Sequence, residues 1–136
     1  ELPMPNRIAV FFVFLLATAL LAACGTAVSR KVGIEQSLAS YEKALRWQSI
    51  GEAYRYLRPE LQPAYLPPGI ESIRVVGYEV LDPPVEVRDN VVVQRVEVRY
   101  VNRNTQVMKS FMDEQVWESD DDGKTWLRAN PMPAFP

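Results

Sequence analysis

The chain carries one thiol, 17 aspartates and glutamates, and no imidazole. Without histidine the Ser–His and Cys–His nucleophile systems are excluded, and most metal sites go with them. The thiol belongs to Cys24. It is a nucleophile that can be alkylated to a thioether, and alone it closes no disulfide within the chain. Its neighbours Ala22, Ala23 and Gly25 are small, which is not the setting of a buried structural cysteine. Asp120, Asp121 and Asp122 invite a calcium reading. An EF-hand, however, alternates its ligands and ends on a distal glutamate, whereas these three are consecutive. No metal and no cofactor are expected. The formal charge of −2 argues against a nucleic-acid partner.

The segment leading to Cys24 has the layout of a secretory leader. Arg7 is a short positive region, residues 8–16 are uninterrupted and apolar, and small residues follow at Ala17, Thr18, Ala19, Ala22 and Ala23. Leu21-Ala22-Ala23-Cys24, with Leu at −3 and Ala at −1, resembles the lipobox of bacterial lipoproteins. The resemblance implies a signal peptide over 1–23 and a Cys24 that receives a diacylglycerol thioether. It also implies fatty acyl chains, such as palmitate, holding the protein on the cell envelope. One chain binds marginally, but two or three anchor stably. Gly25, in place of aspartate at +2, implies the periplasmic face of the outer membrane in a Gram-negative cell. A transmembrane anchor is the main rival, although the apolar run 8–23 falls short of the ~20 residues that span a bilayer. Met4 is a more natural start than Glu1. Residues 24–33 read as a tether, roughly 30 Å long if fully extended.

What remains is one domain over 34–130, which must fold on its apolar core. Ile34, Leu38, Tyr41, Ala44, Leu45 and Gln48 follow helical spacing, so a first helix is expected over 34–48, closed by Trp47. Ser49 and Glu52 fit a capping box opening a second helix over 50–57, which buries Ala53, Tyr54 and Leu57. Pro59 can open one more short turn. Strands are expected over 73–81, 91–101, 106–118 and 125–129. In the second, Val92, Val96, Val98 and Tyr100 face one way and Arg95, Glu97, Arg99 and Arg103 the other. The third is apolar on both sides, which predicts a central strand covered twice, at least in part. Trp47, Trp117 and Trp126 are all expected in the core. Residues 131–136 read as a proline-rich, extended tail.

Helices followed by long antiparallel strands give an α+β class, with N-terminal helices packed on a curved antiparallel sheet of about four strands. Over residues 34–129 the chain resembles the NTF2-like (cystatin-like) superfamily. The resemblance rests on Tyr41-Glu42-Lys43-Ala44-Leu45, on Glu52-Ala53-Tyr54-Arg55-Tyr56-Leu57, on the closing strand pair that ends in Trp126, and above all on element order. It implies a cone-shaped domain with an apolar pocket. It also implies two activities to weigh. One is a non-catalytic module that binds an envelope protein or a small apolar ligand, or forms a homodimer through its sheet. The other is an isomerase-like enzyme of the SnoaL or ketosteroid-isomerase type. Its acid–base candidates would be Glu97, Asp113 and Glu114, with Tyr78 or Tyr100 as donors. Asp113, sharing a face with Phe111 and Trp117, is the best of these. A structural subunit of an envelope complex is a third option.

One local pattern is sharp. Residues 119–126 fit S-x-D-x-G-x-T-W, which resembles the Asp box of sialidases and related β-propellers. Ser119, Asp121, Gly123, Thr125 and Trp126 are its members. In propellers this hairpin is structural, and a mature chain this short cannot build a propeller. The expected role is a stable hairpin tip: Asp121 accepting from turn amides, Gly123 tolerating positive φ, and Trp126 plugging the core.

Overall fold

The computed structural model describes residues 6–136, apart from the side chains of residues 9 and 16–27. Met4 and the side chain of Cys24, the expected start and lipidation site, lie outside the described residues. Helix α1 spans Arg7–Lys43. It runs through 24–33, where an extended tether is expected, because nothing there stops a helix: no proline intervenes, and a glycine costs only about 1 kcal/mol. Its first turns carry Ile8, Phe11, Phe12, Val13, Phe14 and Leu15, all exposed. Among the described residues no helix is long and apolar enough to cross a membrane.

From Arg30 onward α1 packs against the rest of the chain. Ile34, Tyr41, Ala44 and Leu45 are buried on one stripe. At Ala44–Gln48 the helix widens into a π turn. Trp47 falls opposite the stripe and is 70% exposed, which corrects the expectation that it is core. The Arg46 guanidinium sits 5.1 Å from its ring centroid and also pairs with Glu42 at 3.1 Å. The Ser49 hydroxyl then accepts from the Glu52 amide at 3.2 Å, opening helix α2 over Ile50–Ala53. Glu52 does not reach back; it pairs with Arg55 at 3.1 Å. A 3-10 turn at Tyr54–Tyr56 carries the chain to buried Leu57, and Pro59–Leu61 forms another.

Strands β1 (Ile73–Arg88), β2 (Val91–Asn102), β3 (Met108–Glu118) and β4 (Leu127–Arg128) pair in chain order. Every pairing is antiparallel. The molecule is therefore α+β, with helices packed on a curved four-stranded sheet. β1 extends past its expected end and through Pro83-Pro84. It can do so because it is an edge strand, and its register shifts between Asp82 and Val85.

On the inner face of β2, Val92, Val96, Val98 and Tyr100 are buried as expected, and Gln94 is buried with them. β3 differs. Phe111, Asp113, Gln115 and Trp117 face the helices, while Met108 and Met112 are 66% and 56% exposed. Only one face of β3 is covered, so its second apolar row is surface rather than core. Residues 129–136 form no regular structure but are docked. The Ala129 amide donates to Val116 O at 2.7 Å. Phe135 meets Tyr100 and Phe111 edge-on at 5.2 and 5.3 Å between centroids.

Candidate functional site

Asp113 enters the interior from β3 and meets Arg128 from β4. Strand alternation aims both inward, and both are essentially inaccessible to solvent. The contact is two-pronged: Arg128 Nη2 to Asp113 Oδ1 at 2.6 Å and Nη1 to Oδ2 at 2.8 Å. The remaining guanidinium donors are also engaged. Nη1 reaches the Tyr41 hydroxyl at 2.9 Å, Nη2 reaches Pro131 O at 3.1 Å, and Nε reaches Asn130 Oδ1 at 3.1 Å. A guanidinium offers five N–H groups in a fixed fork, and this one has a partner for each.

Gln115 carries the network on. Its amide nitrogen donates to Asp113 Oδ2 at 2.9 Å and to the Tyr78 hydroxyl at 3.0 Å. Its carbonyl accepts from Gln94 at 2.8 Å and from the Trp117 indole at 3.2 Å. Tyr41 stacks edge-on against Trp117 at 5.3 Å. Burial holds the phenols of Tyr41 and Tyr78 far above the ordinary tyrosine range, so both are neutral. Burial also opposes charge on Arg128, but its hydrogen bonds and attraction to Asp113 prevail and raise its pKa. Among the described residues every buried side-chain nitrogen and oxygen has a hydrogen-bond partner.

This geometry decides what Asp113 can do. It is buried, as a pocket carboxylate would be, but both oxygens are committed, Oδ1 to the Arg128 guanidinium and Oδ2 to that guanidinium and the Gln115 amide. Tyr78 is its neighbour through Gln115 rather than directly. Tyr100 lies apart, donating to Pro136 O. Glu97 and Glu114 lie on the outer face of the sheet, paired in register with Met112 and Arg95. The expected acid–base residues are therefore not brought together. Arg128 and Gln115, which hold the network, are not among the residues that sequence pattern singles out. Arg128 had a signal: it stands two residues after Trp126, and strand alternation puts it on the same side.

The hairpin at 119–126 forms a second constellation. Asp121 Oδ1 accepts from the Ser119 hydroxyl and from the Thr125 amide, both at 2.8 Å. The Ser119 hydroxyl accepts from the Gly123 amide at 2.8 Å, and the Trp126 indole donates to Gly123 O at 3.0 Å. Gly123 has φ 85°, where a side chain is strained. Asp121 is pulled down to about 2, first by the Thr125 backbone amide, then by the Thr125 and Ser119 side chains. Asp120 pairs with Arg58 at 2.9 Å. Two of the three aspartates are thus occupied within the chain.

The tip docks on α1. A Cβ built on Gly33 would stand 2.4 Å from Gly123 O, and one on Gly123 would stand 2.4 Å from Arg30 Cγ. Arg30 also donates to Asn90 Oδ1 at 2.7 Å, in the β1–β2 turn. Beside this junction is a groove of about 280 Å³. Ile34, Val92 and Trp126 line it together with Arg30, Lys31 and Glu86. Compared with known proteins, the chain matches no protein-family model, no curated protein and no solved structure.

Proposed function

We propose that the protein is a lipid-anchored bacterial envelope lipoprotein whose folded part is a non-catalytic, NTF2-like binding module. The closed network around Asp113 carries the non-catalytic half of this reading. A general base must reach a substrate proton within about 3 Å, and the lone pairs of Asp113 already face Arg128 and Gln115. The interior thus fixes the fold, and recognition falls to the surface. The groove beside α1, with an apolar floor and a charged rim, suits a small amphipathic ligand or an inserted side chain. The anchor half rests on Leu21-Ala22-Ala23-Cys24 and on the exposed apolar start of α1.

Metabolic labelling with palmitate tests the anchor. The wild type should incorporate label and sediment with membranes, whereas Cys24→Ala should lose the label and either leave the membrane or remain unprocessed. A Cys24→Ala protein that is processed and membrane-bound like wild type would refute the reading.

A further inference from the structure

Among the described residues β1 has a strand on one side only, so its other side is an edge of the sheet. Such an edge presents a row of backbone donors and acceptors, which proteins blunt with prolines, bulges or charge. On β1 this protection is uneven. Pro83 and Pro84 close the half nearer the β1–β2 turn, because proline has no N–H to donate. Residues 73–80 hold no proline and one bulge, between Val75 and Gly77. Val76 and Val80 on this stretch are 41% and 46% exposed. The outer face of the same stretch is charged. Across the β1–β2 pair Arg74 stands opposite Val101, Gly77 opposite Arg99 and Glu79 opposite Glu97. Arg99 starts from β2, yet its side chain crosses to β1: a Cβ on Gly77 would meet its Nε at 2.6 Å and its Nη2 at 3.1 Å. The missing side chain at Gly77 thus lets this guanidinium stand over the edge strand. The edge therefore offers two cations, Arg74 and Arg99, followed by the anion of Glu79, all three exposed. None of them forms an ion pair with a described residue. Glu79 also faces Glu97, a like-charge contact that destabilises the sheet on its own.

We propose that residues 73–80 of β1 receive an extended segment of a different protein by strand addition, and that the segment reads Lys-x-Asp-x-Asp, antiparallel to β1 as every other pair in the sheet is. In strand addition the main-chain hydrogen bonds hold the segment and its alternate side chains select it. Alternate side chains of the segment fall on the outer face about 7 Å apart. The lysine then meets Glu79 and relieves its repulsion with Glu97, and the two aspartates meet Arg99 over Gly77 and Arg74. Arg74 and Gly77 already match a two-residue step of β2 across the bulge, so the same step serves the added strand. The x positions turn to the inner face. Val80 lies on that face, opposite buried Val96, and its exposed side calls for an apolar cover. Charge thus selects the segment and fixes its direction, while Pro83 sets where it must end. This edge is separate from the groove beside α1. The proposal goes beyond that groove and depends neither on it nor on the anchor.

Synthetic peptides test the proposal on the full chain in mild detergent, with binding read by fluorescence anisotropy. Labelled Thr-Val-Lys-Val-Asp-Val-Asp-Thr should bind at micromolar concentration. The same residues in reverse order carry the same charge and should bind at least tenfold more weakly. Arg99→Glu should weaken the first peptide at least tenfold, and changing the middle aspartate of the peptide to lysine should restore binding to that variant. Arg99 is exposed, so the variant should melt like wild type. N-methylation separates strand addition from mere charge attraction, because alternate amides of an antiparallel strand face its neighbour. Methyl groups on one alternate set of peptide amides should abolish binding, and on the other set should leave it. No binding at millimolar peptide, equal or tighter binding of the reversed peptide, a swap that fails to rescue, or two methylated sets that behave alike would each overturn the proposal. So would a wild type that light scattering finds dimeric and that Arg99→Glu makes monomeric, since the edge would then belong to a second copy.

Discussion

Arg128 and Asp113 meet where no water can screen them, so each depends on the other. A buried pair contributes little net stability, because desolvating two charges offsets most of their attraction; removing one partner is the costly event. Asp113→Ala should therefore destabilise the fold by about 3–5 kcal/mol, leaving a guanidinium in the core. Replacing both residues, as Asp113→Leu with Arg128→Met, should lose clearly less than the sum of Asp113→Leu alone and Arg128→Met alone. Urea unfolding of the four proteins checks this, and additive losses would count against a closed network. Asp121 works at the surface through a different device. Its carboxylate accepts the turn donors more strongly when ionised, and its folded pKa of about 2 lies below the ~3.9 of an unfolded aspartate. A depressed folded pKa contributes stability that is fully present above about pH 4 and is lost as pH falls toward 2. The melting temperature should drop through that window, and Asp121→Asn should start lower and flatten that part of the profile. Equal pH profiles for the two proteins would show that the carboxylate does not hold the hairpin.

Where an element has one wet face, its sequence reveals it. β2 alternates valine with arginine and glutamate, so its inner row could be read directly. β3 could not be read this way, because Met108, Met112 and Val116 on its outer face look like a second buried row. Hydrophobicity alone cannot distinguish a core row from an apolar surface row. The reach of β1 was equally hidden: a strand was expected over 73–81, whereas β1 runs on through Pro83 and Pro84 at the edge of the sheet. The docking of α1 on the hairpin left a trace only in Gly33, an unremarkable residue in sequence. Gly→Ala in a helix normally stabilises by up to about 1 kcal/mol. At Gly33 the new methyl would press on the backbone at Gly123, and overpacking against rigid atoms costs about 1–3 kcal/mol. Gly33→Ala should therefore lower the melting temperature. A rise would mean that α1 and the hairpin are not in contact.

On the scale of the whole molecule, the two turns at one end of the sheet grip α1, through Asn90 and Gly123. Cys24 lies six residues upstream of Arg30 on the same helix, a rise of about 9 Å. A lipidated Cys24 would therefore hold this end of the sheet close to the bilayer, and the β2–β3 turn at the other end stands about 35 Å away along β3. Energy transfer to headgroup-labelled lipid in vesicles tests that arrangement. Lys124→Cys marks the gripped end and Thr105→Cys the free end; both positions are exposed, and under the proposed anchor the native thiol would be blocked by its lipid. Transfer should be strong from position 124 and weak from 105. Equal transfer from the two positions would show that the gripped end does not hold the domain to the membrane.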